Sequence, residues 1–496
     1  MRRGSSRHRH PVSFMISTSP QRCVFAVLSA LSILGCTDHV ARREDTGTLE
    51  SQPPAAMMNA SPPDNGAAGN PATPAATNGA NPAATPGNEA NMAGMLAPPA
   101  SAGAAGAAAT PATLEPEPGL LLGTATRPQL SAEAAAQFDV LEYLASAGNL
   151  TTGLVRDDWD PTAGVGDVAT FRADFRVAAA DGTHTSVQAA ITAAVASGGS
   201  ARRYIELAAG TYREVVCVPG GAPPITLYAT SADASQTVIA FDNYSGKAKA
   251  AGTPANPCNA SLTSTTFGTS GSATFASFAA EFQAKNLSFV NDTDETTATG
   301  GLQAVALMAQ GDRQIFENVR VLGNQDSLFL KTPDVTTVQR AYFKDCYVEG
   351  DTDFIFGRST FVLDGCTIRS LTSRTPNGVV VAPSTDSRNP FGILITRSRF
   401  EADATAGMSS TSLGRAWDES QVDVPTYTGN VQRGVFPNGQ AVVRESTLGA
   451  HIQVAGPWRA AATTSRPYSS VDGAVPANRF YEFQNSGPGS APVTPP

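Results

Sequence analysis

Two acidic residues, Asp326 and Asp353, each stand inside a short apolar run with the composition of a β-strand. Burying an ionised carboxylate is costly, so such a pair needs charge partners or a chemical task. The two positions are 27 residues apart (353 − 326 = 27). One coil of a parallel β-helix takes roughly 20 to 30 residues, and adjacent coils stack about 4.8 Å apart. The spacing therefore predicts that both carboxyl groups lie on one face of such a helix, about 5 Å from each other.

Carboxyl groups at that distance cannot both ionise freely, so their pKa values are pushed apart. Such a pair can supply one nucleophile and one proton donor. The alternative is that Asp326 and Asp353 only cap turns of the solenoid.

From Arg203 onward the chain consists of short β-rich runs punctuated by Gly, Asn, Asp and Pro. No long helical period intervenes, which disfavours alternating βαβ units. Three segments echo one another, with starts 32 and 27 residues apart: Lys285-Asn-Leu-Ser-Phe, Glu317-Asn-Val-Arg-Val and Lys344-Asp-Cys-Tyr-Val. This near-period fits coils with loops of variable length, so we predict an all-β, single-stranded parallel β-helix. A large β-sandwich is the alternative.

Two segments before these runs have helical patterns. Residues 130–150 are rich in Ala, Glu and Leu, with Ser131 as a candidate N-cap. Residues 183–196 have capping-box spacing at Thr185 and Gln188 and an apolar stripe. We expect the second helix to cap the N-terminal end of the solenoid, whose first coil would otherwise expose its core.

The N-terminus has the features of an export signal. Basic residues precede an apolar run, Val24 to Leu34, that is too short to span a bilayer and ends just before Gly35-Cys36. Residues 1–36 thus resemble a bacterial lipoprotein signal, with Cys36 as the lipidated residue. A plain secretory signal is the alternative. We expect an exported protein that is either anchored by lipid, facing the periplasm or cell surface, or secreted.

The composition divides the remaining chain in two. Residues 37–118 are dominated by Ala, Pro, Gly and Asn and contain almost no large apolar side chains, which predicts a disordered linker. Residues 119–496 form the predicted domain. The formal net charge of −9 argues against binding of nucleic acid, which needs a basic face.

Four cysteines lie in the predicted domain. An even number in an exported chain suggests two disulfides. Cys346 and Cys366 are 20 residues apart, about one coil, so stacking could bring them together. Cys217 with Cys258 follows by elimination. A zinc site is not expected, because the chain has no Cys-x-x-Cys pair and its His residues are scattered.

Five short stretches, in order, resemble the pectin methylesterase family, whose members fold as right-handed parallel β-helices. The likeness spans about residues 183–483. The stretches are Gly210-Thr-Tyr-Arg-Glu, Gly301-Leu-Gln-Ala-Val-Ala-Leu, Gly323-Asn-Gln-Asp-Ser-Leu, Gly350-Asp-Thr-Asp-Phe-Ile-Phe-Gly and Leu413-Gly-Arg-Ala-Trp.

The resemblance implies a pectinesterase that hydrolyses methyl esters of galacturonate residues in polygalacturonate or its oligomers. Asp353 would be the nucleophile and Asp326 the general acid and base. Gln303 and Gln325 would donate hydrogen bonds to the oxyanion, and Arg415 would pair with Asp353. The two glutamines could instead belong to an amide ladder, and Arg415 could have a structural role. The resemblance implies no metal or organic cofactor, and we expect a monomer.

The resemblance also assigns a substrate-binding groove. Trp417 and Phe356 would line it together with Gln303 and Arg415, although Trp417 could serve packing alone. Met308 stands where the family often has an aromatic residue. Some members of a similar lipoprotein branch have lost the second aspartate motif and are assigned as acyl-CoA thioesterases. That activity and a non-catalytic carbohydrate-binding role are the alternative functions.

Overall fold

Short parallel strands are the main regular secondary structure in a computed structural model that describes residue 116 and residues 119–258, 264–404, 409–419, 437–471 and 477–492. The predicted signal peptide with Cys36 lies outside the described residues, as does the predicted linker apart from Pro116.

The strands, in chain order, are β1 (Leu121–Thr124), β2 (Arg127–Leu130), β3 (Ser146–Asn149), β4 (Gly153–Arg156), β5 (Phe175–Val177), β6 (Arg203–Leu207), β7 (Gly210–Arg213), β8 (Val216–Val218), β9 (Ile225–Tyr228), β10 (Thr237–Phe241), β11 (Phe275–Ser277), β12 (Gln283–Lys285), β13 (Ser288–Asn291), β14 (Leu307–Ala309), β15 (Gln314–Glu317) and β16 (Arg320–Leu322). They continue with β17 (Leu328–Leu330), β18 (Thr337–Val338), β19 (Arg340–Lys344), β20 (Tyr347–Gly350), β21 (Thr352–Gly357), β22 (Thr360–Asp364), β23 (Thr367–Ser370), β24 (Val379–Pro383), β25 (Ile393–Thr396), β26 (Arg399–Ala402), β27 (Ser412–Arg415), β28 (Gln440–Arg444), β29 (Thr447–Leu448), β30 (Trp458–Arg459) and β31 (Arg479–Phe483).

The helices are short. They are α1 (Ala132–Ala135), α2 (Val140–Leu144), α3 (Val187–Ala196) and α4 (Gly268–Gly271), with 3-10 turns at Ala136–Phe138, Val168–Thr170 and Ala234–Gln236. Within the described residues, no helix is both long and apolar enough to cross a membrane.

Three long sheets form the walls of a parallel β-helix. The first runs β1-β2-β31-β28-β25-β22-β19-β15-β12-β9-β6-β5, the second β29-β26-β23-β20-β16-β13-β10-β7, and the third β30-β27-β24-β21-β17-β14-β11-β8. Most successive coils add one strand to each sheet, and β18, β3 and β4 form a small separate sheet. The predicted all-β parallel β-helix is confirmed.

A single residue in the left-handed region turns the chain from the first sheet into the second. Asn286, Asn318 and Asp345 occupy this corner with φ of 63°, 50° and 54°. These residues tolerate that conformation better than most non-glycine residues. The side chain of Asn318 also donates to Asn286 Oδ1 at 2.9 Å, linking adjacent coils. The three echoing sequence segments are therefore one structural corner repeated on successive coils.

The interior is filled by side chains stacked in register. Phe316 and Phe343 lie on neighbouring coils with ring centres 4.5 Å apart and planes 8° apart. Phe361 on the next coil meets Phe343 edge-on. Continuous apolar stacking of this kind gives the solenoid one core along its length.

Helix α3 covers the N-terminal end of this core, as predicted. Its residues Val187, Ala190, Ile191 and Ala194 are fully buried. The helix begins after Ser186, not at Thr185, and the Glu214 carboxylate accepts hydrogen bonds from the first two helical N–H groups at 2.8 and 3.0 Å. The predicted capping box at Thr185 is therefore wrong, because Ser186 is the N-cap and accepts from the N–H of Ala189 at 3.3 Å, while Glu214 from the next coil serves the first turn.

The segment before α3 packs on the outer face of the first sheet. The predicted single helix over 130–150 is wrong. Ser131 does cap α1, but Asp139 interrupts the helix and caps α2, and the chain then enters β3. Strand β2 pairs with β31 at the C-terminal end, where Arg127 and Glu482 form a buried ion pair at 2.7 Å.

Candidate active site

Asp326 and Asp353 lie on adjacent coils of the third sheet. Strands β17 and β21 pair in parallel with Leu328 opposite Ile355, an offset equal to the 27-residue spacing (355 − 328 = 27). The backbone N–H of Asp326 donates to the carbonyl of Thr352 at 3.1 Å. The predicted stacking of the two aspartates by one coil is thus what the structure shows.

Both aspartates have left-handed backbone conformations, with φ of 68° at Asp326 and 49° at Asp353. Such conformations cost free energy in non-glycine residues and are concentrated at functional sites. The two residues are only 7% and 8% exposed. The local backbone therefore holds two acidic side chains in a nearly buried site at a conformational cost.

Arg415, at the end of β27, forms a two-pronged ion pair with Asp353. Its Nε donates to Oδ1 at 2.8 Å and its Nη2 to Oδ2 at 2.6 Å. Asp326 has the opposite electrostatic setting. Burial raises the pKa of the Asp326 carboxyl well above its usual range, the charge of Asp353 raises it further, and Arg415 opposes the rise. One member of the pair thus has a cationic partner, while the other is biased towards its protonated form.

Gln303 and Gln325 lie on adjacent coils next to Asp326. Gln325 directly precedes Asp326, and Gln303 lies one coil earlier, before β14. The N–H of Ala304 donates to the carbonyl of Gln325 at 3.1 Å, which fixes the two segments side by side. Gln303 is 6% exposed and Gln325 is partly buried. The backbone segments that carry Gln303 and Gln325 therefore lie on adjacent coils, next to Asp326.

An apolar row follows the outer face of the third sheet next to the aspartates. Met308, Phe329, Phe356 and Ala382 occupy successive coils in register. The rings of Phe329 and Phe356 stack 4.2 Å apart, and the Trp417 ring meets Phe356 edge-on at 5.6 Å. Because Met308 and Phe356 are 2% and 3% exposed, Trp417 is the most accessible of the three apolar residues in the predicted groove lining.

Phe354 belongs to the inner core, whereas Phe356 belongs to the outer row. The register between β21 and β24 shifts between Thr352 and Ile355. This irregularity accompanies the left-handed Asp353 and lets Phe354 and Ile355 both face inward.

A family model described as Pectinesterase matches residues 175–493. A pectinesterase from Ralstonia solanacearum is 49% identical over 373 residues, which cover 74% of this chain and 92% of that protein. This chain belongs to the pectinesterase family. The predicted family and the ester hydrolase class are confirmed. A relative from Escherichia coli, whose name YbhC carries a provisional assignment as an acyl-CoA thioester hydrolase, is 32% identical over 75% of this chain and 90% of its own.

Solved structures support the same family. The rice weevil pectin methyl esterase is 33% identical, with a TM-score of 0.60 and coverage of 74% of this chain and 98% of its own. A pectin methylesterase solved in complex with a hexasaccharide is 25% identical, with a TM-score of 0.51 and coverage of 65% and 92%.

Sequence reasoning missed a second acidic cluster beside the aspartates of this pectinesterase. Glu295 accepts from Arg374 Nη2 at 2.5 Å, and Asp351 accepts from Thr375 Oγ1 at 3.0 Å. Burial raises the pKa of Glu295, and the charge of Asp351 adds to the rise. Both negative charges also raise the pKa of Asp326. Asp351 was visible in the Gly-Asp-Thr-Asp motif, but no local signal marks Glu295.

Two further ion pairs flank Trp417 in the pectinesterase site. Arg466 Nη2 lies 2.8 Å from Asp418 Oδ1, and both side chains are fully buried. Glu419 lies 3.0 Å from Arg358. Because Asp418 and Glu419 directly follow Trp417, these pairs fix the segment that presents the indole ring.

The structure supports one predicted disulfide and contradicts the other. Cys217 and Cys258 are joined, whereas Cys346 and Cys366 are buried free thiols. The second pair does stack on adjacent coils, and the N–H of Cys346 lies 3.4 Å from Cys366 Sγ. However, parallel coils hold equivalent Cβ atoms about 4.8 Å apart with parallel bonds, which is wider than the roughly 3.8 Å of a disulfide. The predicted Cys346–Cys366 bond is therefore wrong.

The described residues contain no group of three or more His, Cys, Asp or Glu side chains that could hold a metal ion.

Proposed function

We propose that this pectinesterase hydrolyses the methyl ester of a galacturonate residue through an acyl-enzyme on Asp353. An oxygen of Asp353 attacks the ester carbonyl carbon, and the carbonyl oxygen becomes an oxyanion. The side-chain amides of Gln303 and Gln325 donate to that oxygen. Asp326 gives its proton to the departing methoxy oxygen, and methanol leaves.

The second half-reaction restores both aspartates. The ionised Asp326 takes a proton from water while the water oxygen attacks the acyl carbon. The bond to Asp353 then breaks, which releases the product as a galacturonic acid group and returns Asp353 to its ionised form; the new carboxylic acid then loses its proton to solvent. The water has supplied one hydrogen to Asp326 and its hydroxyl to the product, so no cofactor is consumed.

The observation that supports this division of labour best is the asymmetric setting of the two stacked aspartates. Asp353 has a bidentate guanidinium partner, which orients its two oxygens and faces them with a positive charge. Asp326 is buried beside that charge, and its raised pKa favours the proton it must donate. Exchanging the two roles would require the group paired with Arg415 to hold the proton.

We place the substrate groove on the same outer face of the third sheet. Trp417 offers a partly exposed apolar ring beside the buried pair Phe329 and Phe356. A flat indole face suits packing against a pyranose ring. The site is assembled within one chain, and we propose that the enzyme acts as a monomer on methyl-esterified polygalacturonate or its oligomers.

A second candidate activity is thioester hydrolysis by the same two aspartates, which the name of the Escherichia coli relative brings into consideration. A thioester would form the same acyl-enzyme on Asp353, because only the leaving atom changes from oxygen to sulfur. The retained Asp326, Asp353, Gln303 and Gln325 argue against the third alternative, a carbohydrate-binding protein without catalysis.

One assay separates the three functions. Methanol release from methyl-esterified pectin and thiol release from palmitoyl-CoA are measured with the same preparation. We expect methanol release and no thiol release. Thiol release alone would establish the thioesterase instead, and pectin binding with neither product would establish the binding protein.

We also propose that the enzyme is exported and anchored by lipid at Cys36. The support is the basic and apolar sequence before Gly35-Cys36. Cells that express the chain with Cys36→Ser should release the enzyme from the membrane fraction. Retention of the variant in that fraction would contradict the lipid anchor.

A further inference from the structure

The backbone that carries Gln303 lies beside a turn rather than a strand on one of its two sides. Residues 301–305 come shortly before β14. On the side of the following coil, the N–H of Ala304 donates to the carbonyl of Gln325 at 3.1 Å. On the side of the preceding coil, the carbonyl of Gln303 accepts from a turn that follows β10. The position of Gln303 therefore depends on an element that the reaction described above does not use.

This turn comprises residues 244–247 and is closed by a hydrogen bond from the N–H of Lys247 to the carbonyl of Tyr244 at 3.0 Å. Its two central residues both donate to the segment that carries the glutamine. The N–H of Ser245 donates to the carbonyl of Gln303 at 2.8 Å, and the N–H of Gly246 donates to the carbonyl of Gly301 at 2.8 Å. The turn thus satisfies two carbonyl groups that a neighbouring strand would otherwise satisfy.

The turn packs tightly enough to control the side chain of Gln303 as well as its backbone. A Cβ atom added at Gly246 would lie 2.7 Å from both the nitrogen of Gly301 and the carbonyl oxygen of Thr299. A Cβ atom added at Gly301 would lie 2.7 Å from Gln303 Oε1. The Gln303 amide therefore lies against Gly301, and Gly301 lies against the turn. A displacement of the turn would displace the amide with it.

The turn is held in place independently of its contact with Gln303. It stands at the base of an excursion between β10 and β11 whose two limbs meet in an antiparallel bridge. The N–H of Gly268, on the returning limb, donates to the carbonyl of Ser245 at 2.9 Å. Farther out, Cys258 is joined by the disulfide to Cys217 of β8. The excursion is therefore fixed to the solenoid at its base and at Cys258.

We propose that Ser245 and Gly246 are positioning residues that hold the Gln303 amide where the oxyanion forms. This proposal rests on the proposed function, in which Gln303 donates to that oxygen. A fixed donor accelerates the reaction only when it is aimed at the atom on which charge develops. A displacement of about 1 Å can cost up to about 100-fold in rate. Because the oxyanion exists only after attack, the turn should influence kcat more than KM.

Two substitutions disturb the turn in different ways. Ser245→Pro removes the N–H that reaches Gln303, at the second position of a β-turn, where proline is favoured. Gly246→Ala places a methyl group against the backbone of Gly301. Gly220→Ala is the matched control, because a Cβ atom there meets nothing closer than 3.8 Å.

The full chain is assayed on methyl-esterified pectin, and thermal unfolding of each variant is the check on folding. We expect Ser245→Pro and Gly246→Ala each to lower kcat for methanol release about tenfold with KM within about twofold. Gly220→Ala should match the wild type. Unchanged kcat in a folded Ser245→Pro variant would overturn the proposal, whether or not Gly246→Ala folds.

A double-mutant cycle shows whether the turn acts through the glutamine. Gln303→Ala is measured alone and combined with Ser245→Pro. Once the amide is absent, its position no longer matters, so the proline should lower kcat by less than about twofold in the Gln303→Ala background. A further tenfold loss in that background would show that the turn acts on the site by another route and would overturn the proposal. If the wild type releases no methanol, the proposed function itself is wrong.

Discussion

Arg415 of β27 binds both carboxylate oxygens of Asp353 in β21, at 2.8 and 2.6 Å, across the intervening strand β24. This contact gives the two stacked aspartates different roles. Asp353 has a cationic partner, whereas Asp326 is buried beside the charge of Asp353, which raises the pKa of Asp326.

Arg415→Lys should lower kcat for methanol release about 100-fold, because an ammonium cannot reproduce the two parallel hydrogen bonds that orient the nucleophile. The measurement is the initial rate on methyl-esterified pectin, with Arg399→Gln as a control for loss of an exposed arginine. A rate within about threefold of the wild type would mean that Arg415 has only a structural role.

Activity should decline as pH rises through the raised pKa of Asp326, since the proton donor is then lost. Glu295→Gln removes one of the negative charges that raise this pKa. The variant should release the Asp326 proton more readily, so the alkaline limb of kcat/KM should move to lower pH.

Glu401→Gln provides the control for the Glu295 profile, because Glu401 is the partner of the exposed Arg399 on another sheet. Its pH profile should match that of the wild type. A shift of the alkaline limb to higher pH in Glu295→Gln would contradict the proposed electrostatic role.

Asp326→Asn should be inactive but more stable than the wild type at neutral pH. The folded protein holds the Asp326 proton to higher pH than the unfolded chain does, because an aspartate in the unfolded chain has a pKa of about 3.9. Stability is therefore lost as pH rises from that value through the raised folded pKa, and the loss persists above it. Asparagine cannot ionise, so the variant avoids this loss and should gain about 1 kcal/mol.

Chemical denaturation at pH 4 and pH 7 measures this gain, which should be larger at pH 7. Asp158→Asn, at an exposed position, is the control and should show no such difference. A less stable Asp326→Asn at pH 7 would indicate that the carboxylate contributes favourable contacts that outweigh its burial.

Cys258→Ser should destabilise the domain by about 2–4 kcal/mol, because the Cys217–Cys258 bond spans 41 residues of sequence. Cys346→Ser is the comparison, since its thiol is free and buried. Alkylation of the unfolded, unreduced protein followed by peptide mass spectrometry should label Cys346 and Cys366 and spare Cys217 and Cys258. If Cys346 were protected from alkylation, Cys346 and Cys366 would form the disulfide that the structure contradicts.

The sequence was most informative where the fold repeats. The 27-residue spacing of Asp326 and Asp353 predicts their stacking because parallel coils preserve register. The echo at Lys285, Glu317 and Lys344 predicts the coil corner for the same reason. In both cases, a local pattern is enough because each coil contacts mainly its neighbours.

Contacts between distant parts of the chain left no such signal. Arg127 meets Glu482 across 355 residues, and nothing in either segment indicates the other. Glu295 reaches the acidic cluster from a loop, and no repeat in the sequence indicates the path of that loop. The error at Cys346 and Cys366 has a different origin, since the spacing was right but parallel stacking does not give disulfide geometry.

The most direct test of the central claim is methanol release from methyl-esterified pectin by Asp353→Asn beside the wild type, with thermal unfolding of both as the check on folding. The account predicts a rate at least about 1000-fold lower in a variant that still unfolds cooperatively within a few degrees of the wild type. A folded variant that keeps a rate within about tenfold of the wild type would show that Asp353 is not the nucleophile.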